Sequence, residues 1–125
     1  MKKFLALFLT LAAAGIAYGA PPASLSGKWN VHSSVAGSDS DSVCTFVQTA
    51  KILTGSCTTA DQGDKKITGT VEDTKISWSF DSEYSGTPLT VKFVGNLDVG
   101  AMKITGTTLV EQFGVDGNFT AVPAK

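Results

Sequence analysis

One histidine, His32, two cysteines, Cys44 and Cys57, and eleven acids are the side chains through which this 125-residue chain could do chemistry, and it has no arginine. A Ser-His-acid triad needs a base beside a nucleophile held on a strained turn. His32 is the one candidate base, and no Gly-x-Ser-x-Gly sequence accompanies it. If Trp29 points inward, parity puts His32 on the outer face of its strand, where a solvated imidazole is the ordinary outcome. Asp39-Ser40-Asp41-Ser42 and Asp61-Gln62-Gly63-Asp64 carry the oxygen chemistry for a weak calcium ion. Neither has the ligand ladder or distal glutamate of an EF-hand, so both are expected as solvated turns. Asp81, Glu83, Asp98 and Glu111 include the carboxylates from which a glycosidic pair would be drawn, yet no spacing brings two of them across a cleft. Asn118-Phe119-Thr120 matches a glycosylation sequon but falls on an expected strand, and is read as incidental. No catalytic residue, metal or cofactor is expected. The chain reads as non-enzymatic.

The first 20 residues read as a secretory signal. Met1-Lys2-Lys3 is a positive start, Phe4 to Ile16 is mostly apolar, and Ala17-Tyr18-Gly19-Ala20 offers small residues for cleavage. Cleavage is expected after Ala20, with Ala17 or Gly19 as alternatives. The apolar run is shorter than the roughly 20 residues a membrane span requires, so no anchor is expected. Removal leaves eight lysines against eleven acids, a net charge of −3. That balance argues against nucleic acid and anionic membrane surfaces, which bind through basic patches. Export to the periplasm or the extracellular space follows, and with it an oxidising route for two cysteines.

Regular elements must position these residues. Pro21 to Ser26 reads as a flexible lead-in, and 27–125 as one domain. From Gly27 onward the hydrophobic period is two. Trp29, Val31, Ser33 and Val35 alternate with polar residues, and so do Cys44-Phe46-Gln48, Leu53-Gly55-Cys57, Ile67-Gly69-Val71 and Ile76-Trp78-Phe80. The pattern continues through Leu89 to Leu97, Met102 to Thr108, and Phe119-Ala121. Eight strands, each with one buried and one wet face, predict an all-β, antiparallel up-and-down meander. Two-residue loops at Ala50-Lys51, Asp73-Thr74, Val99-Gly100 and Asp116-Gly117 would set the register. They would place Phe46 against Gly55, Trp78 against Gly69, Phe93 against Gly106 and Phe119 against Gly114. A ring over a bare glycine backbone permits the sharp bends that close a small barrel. The first loop also sets Cys44 against Cys57 at a non-hydrogen-bonded pair, where side chains approach most closely. A structural disulfide is expected there.

The face turned inward would be apolar and aromatic, with Trp29, Phe46, Trp78, Phe80, Phe93 and Phe119 joined by Ser33, Gln48 and Thr108. An eight-stranded barrel is filled by such side chains or holds one small ligand. Apolar walls with a few polar groups describe a pocket for a small apolar molecule. These nine residues are the candidate lining.

Gly27-Lys28-Trp29, opening the first strand of an eight-strand meander, resembles the Gly-x-Trp start of the calycin group of lipocalins and avidins. In that group the Trp closes one barrel end. Lipocalins set an arginine against it and are longer. The phrases Leu53-Thr54-Gly55-Ser56, Ile67-Thr68-Gly69-Thr70 and Ile104-Thr105-Gly106-Thr107 are similar to avidin strands. Cys57, Val31 and Val35 stand where avidins carry biotin-contacting tyrosine, asparagine and serine, so the resemblance does not extend to biotin. Leu25-Ser26-Gly27-Lys28-Trp29 is also similar to the opening of the periplasmic inhibitors of serralysin-type metalloproteases. That likeness implies a second reading, a protein-binding module whose N-terminal arm, here Pro21 to Ser26, enters a protease cleft. Short exported β-domains of environmental bacteria share the Thr-Gly-rich style.

Overall fold

The computed structural model describes residues 24–60 and 63–124. The signal expected over 1–20 lies outside the described residues, as do Pro21 to Ala23. Eight strands follow in chain order: β1 (Gly27–Val35), β2 (Ser38–Thr49), β3 (Ile52–Thr59), β4 (Gly63–Glu72), β5 (Lys75–Tyr84), β6 (Thr87–Asp98), β7 (Lys103–Val110) and β8 (Val115–Pro123). Each pairs antiparallel with the next, and β8 returns to β1 to close the barrel. Closure leaves no sheet edge where a foreign strand could add along the β1–β8 seam. The up-and-down meander is as the alternation predicts.

Residues of one parity on each strand point inward, and the bulky ones form the core. Trp29, Phe46, Leu53, Ile67, Ile76, Trp78, Ile104 and Phe119 are all buried. Two expected hairpins hold residue for residue. Ala50-Lys51 sets Phe46 opposite Gly55 and Cys44 opposite Cys57, and Asp73-Thr74 sets Gly69 opposite Trp78. Cys44 and Cys57 are disulfide-bonded, with Cα atoms 3.9 Å apart. That close approach fits a non-hydrogen-bonded pair.

Two expected turns are corrected. The loop expected at Val99-Gly100 spans 99–102 instead, so Leu97 faces Ile104, Gly95 faces Gly106, and Phe93 faces Thr108. Asp98 causes this: its carboxylate accepts the Ala101 N–H at 3.2 Å, and Met102 takes a left-handed φ of 50°. The side-chain turn outcompetes the tighter one. Because the slip is two residues, the inward face is unchanged. The turn expected at Asp116-Gly117 lies earlier, as a 3-10 turn over Glu111–Phe113 closed by Gly114. Gln112 anchors it by accepting the Thr90 N–H at 2.9 Å. Asp116-Gly117 then runs within β8, and Phe119 faces Gly106 rather than Gly114. Glycine is needed at 117 for proximity, since a Cβ there would lie 1.9 Å from the Ser34 carbonyl oxygen.

The acidic run Asp39 to Ser42, expected as a turn, is instead part of β2. Strand alternation sends its two carboxylates outward and its two serines inward, which separates the oxygens a cation would need together. Of the second run, Asp61 and Gln62 lie outside the described residues. Asp64 accepts a hydrogen bond from the Thr58 hydroxyl opposite it.

The barrel has unlike ends. At one, the lead-in expected to be loose through Ser26 is docked from Ser24 onward. Leu25 is fully buried, and its N–H donates to the Gln48 side-chain oxygen at 2.9 Å. The Leu25 carbonyl accepts the Trp29 indole N–H at 2.9 Å, and Ser26 Oγ accepts the Gln48 N–H at 3.0 Å. Burying a leucine is worth about 2 kcal/mol, enough with satisfied backbone groups to order a short segment. The chain closes this end again at β8, where the Ala124 N–H donates to the Lys28 carbonyl at 2.9 Å.

Candidate functional site

A column of rings rises from this closed end. Trp29 meets Phe46 at 6.3 Å, Phe46 meets Trp78 at 5.0 Å, and Trp78 stacks on Phe93 at 4.9 Å. Phe119 packs edge-on against Trp78 and Phe93 at 5.2 and 5.3 Å. Offset and edge-on pairs of this kind contribute about 0.5–1.5 kcal/mol each beyond area burial. The column stops at Phe93 and Phe80, 6.0 Å apart. Above them, toward the β1–β2 and β5–β6 turns, the interior is hollow.

The hollow is a cup of about 600 Å³. Phe80, Leu89, Val91 and Phe93 form its apolar side, and Ser33, Ser40 and Thr108 lie among its polar positions. Tyr84 and Phe113 meet edge-on at 5.9 Å on the rim, both exposed. The mouth turns Ala36-Gly37 and Ser85-Gly86 have positive φ at both central residues. That is the mirror-image turn whose twist matches paired strands, so the rim is built on regular hairpins. Ser33 Oγ and Ser40 Oγ share a hydrogen bond at 3.0 Å. Thr108 is 2% exposed, and its hydroxyl has no hydrogen-bond partner among the described residues.

Of the nine candidate lining residues, the structure brings Ser33, Phe80, Phe93 and Thr108 together around the cup. Trp29, Phe46, Trp78 and Phe119 point inward too, but they make up the packed column beneath it. Gln48 is at the opposite end, holding Leu25 and donating from its amide nitrogen to the Ala50 carbonyl at 3.1 Å. Sequence reasoning missed Tyr84 and Phe113. The first lies beyond the last clear alternation of its strand, and the second is set by a turn that the sequence placed elsewhere. Leu89 and Val91 were legible as inward residues, although nothing in their spacing gave their height along the barrel.

No known protein family and no curated protein matches this sequence.

His32 and its acidic neighbours sit on the outer wall. His32 faces Asp41 across the β1–β2 ladder, with Nδ1 2.6 Å from a carboxylate oxygen, while Asp39 lies 4.0 Å from Nε2. The hydrogen bond to Asp41 and its charge raise the His32 pKa above its usual 6.5, and Asp39 adds a smaller pull in the same direction. A second concavity, about 640 Å³, lies outside the wall around His32, Val43, Thr58 and Val122. Both valines are exposed. It lacks what the cup has, an enclosing barrel wall and a buried hydroxyl without a partner. The four carboxylates considered for glycosidic chemistry do not converge. Asp81 accepts from Thr90, Asp98 shapes its turn, and Glu111 pairs with Lys92 at 2.9 Å. Glu83 sits at the cup's mouth.

Proposed function

We propose that this protein is an exported, non-enzymatic barrel that takes up one small apolar molecule through its open end. The observation that carries this reading is the cup of about 600 Å³ above the Phe80–Phe93 floor. Its size falls within the roughly 300–1,000 Å³ usual for small-molecule sites, and its mixture of apolar wall and sparse hydroxyls is the usual composition. The only histidine lies on the far side of the wall from that space, which supports a binding rather than a catalytic role. The signal-like residues 1–20 and the Cys44–Cys57 disulfide support export to an oxidising compartment. An open cup in an eight-stranded meander that begins Gly27-Lys28-Trp29 is also in keeping with a calycin-like barrel.

The second reading, a protease inhibitor working through its N-terminal arm, is less well supported. Leu25 and Ser26 are committed to closing the barrel, so an arm would have to be made of residues before Ser24. Titrating the purified protein with the neutral fluorophore N-phenyl-1-naphthylamine, alongside native mass spectrometry, tests the first reading. Saturable enhancement at one site per chain is expected. No occupancy by either method would overturn it. Deleting 21–23 should leave that binding intact, whereas an arm-driven inhibitor would lose its inhibition.

A further inference from the structure

The floor of the cup says what kind of apolar molecule it suits. Thr108 stands on β7 between Phe93 on one neighbouring strand and Gly117 on the other. Gly117 is also opposite Val35 of β1, two residues along from Ser33. No side chain at 117 separates the Thr108 side of the floor from the Ser33 side. The result is a polar belt of Ser40, Ser33 and Thr108 across β2, β1 and β7, facing the apolar wall of Phe80, Leu89 and Val91. Ser33 and Ser40 share one hydrogen bond. Thr108, almost wholly buried, has no such partner. The Trp78 indole N–H is also unpaired among the described residues, but within the packed column; of the two buried groups only Thr108 lines the cup, where a ligand atom can meet it. Charge narrows the choice further. Among the described residues the lining includes no lysine or histidine, and its one ionisable acid is Glu83 at the mouth. A carboxylate or phosphate pushed to the floor would be desolvated without a counter-charge. A cationic head would stay at the mouth beside Glu83.

Building on the reading of the cup as a binding site, we infer that its ligand is uncharged, carries one hydroxyl or carbonyl at an end, and binds that end down, against the Thr108 hydroxyl. The test uses three molecules on one scaffold as competitors for N-phenyl-1-naphthylamine: butylbenzene, 4-phenylbutan-1-ol and 4-phenylbutanoate. The alcohol should displace the probe at roughly tenfold lower concentration than either of the others, the value of about one well-placed hydrogen bond in a dry site. Thr108→Val should remove that advantage and leave butylbenzene unchanged, and Thr108→Ser should restore it. An alcohol no better than the hydrocarbon, or a Thr108→Val variant that weakens all three equally, would overturn the inference while the cup still binds. A carboxylate that binds best would overturn it too. If neither the probe nor any competitor binds the folded protein, the binding reading itself falls with it.

Discussion

Replacing Gly69 by alanine adds one methyl group at the tightest point of the β4–β5 ladder. The Cβ would lie 2.0 Å from the Ser77 carbonyl oxygen and 2.8 Å from the Trp78 Cα. Both are backbone atoms, so no rotamer change relieves the contact. The strands must part, and they are joined by only five residue pairs, from Thr68–Ser79 to Glu72–Lys75, with Gly69–Trp78 second in the run. Losing two hydrogen bonds there would cost about 1–3 kcal/mol at roughly 0.5–1.5 kcal/mol each. Displacing Trp78 from its contacts with Phe46, Phe93 and Phe119 adds an overpacking strain of about 1–3 kcal/mol. A total of about 2–6 kcal/mol is expected, a large share of the ~5–15 kcal/mol that holds a domain together. Gly100→Ala is the control, because the nearest atom to its Cβ is an Asp98 carboxylate oxygen at 3.5 Å, an ordinary contact. Urea unfolding followed by tryptophan fluorescence measures both. A Gly69→Ala midpoint indistinguishable from that of Gly100→Ala would refute the reasoning from register.

Three other outcomes follow from the geometry. Leu25→Ala should lower stability by about 2–5 kcal/mol, the range for emptying a buried leucine site, and red-shift the emission of Trp29; unchanged urea midpoints would show that the docked segment closes nothing. Reducing the Cys44–Cys57 bridge should cost less than the ~3 kcal/mol expected for a loop of this size in a free chain, since the hairpin already holds its ends together. Urea titrations with and without reductant give the difference, and a loss well above that figure would contradict it. The pKa of His32 is raised in the folded state, so its contribution is fully present below pH 6.5 and fades as pH rises through the folded value. Following the imidazole by NMR, Asp41→Asn should bring the pKa back toward 6.5, and an unmoved titration would sink the assignment to Asp41.

The alternation of apolar and polar residues is a strong signal because it is local, and it made the strands, the inward faces and the cysteine pairing legible. Ala50-Lys51 and Asp73-Thr74 were legible for the same reason: two residues between matched alternating runs leave little freedom. Val99 to Met102 was not, since the deciding event is one carboxylate capturing one N–H. Asp116-Gly117 has the composition of a turn and is a strand, because Gly117 answers to a neighbouring carbonyl that only the folded barrel brings near. The same limit applies to the site. Parity tells which side chains face in but not how far along the axis they sit. Gln48 and Ser33 share an inward parity yet stand at opposite ends. Leu25 is in phase with Trp29 but precedes the strand, so nothing local distinguished a plug from a tail.

The backbone link between Ala124 and Lys28 gives the molecule a direction. Both flanks of the barrel leave from the end that Leu25 seals, and the mouth faces the other way. Anything fused to either flank, or a surface to which either is tethered, would stand behind the cup and leave its mouth turned to solvent. Joined directly to Ser24 or Ala124, a tag should therefore leave the cup's mouth facing solvent.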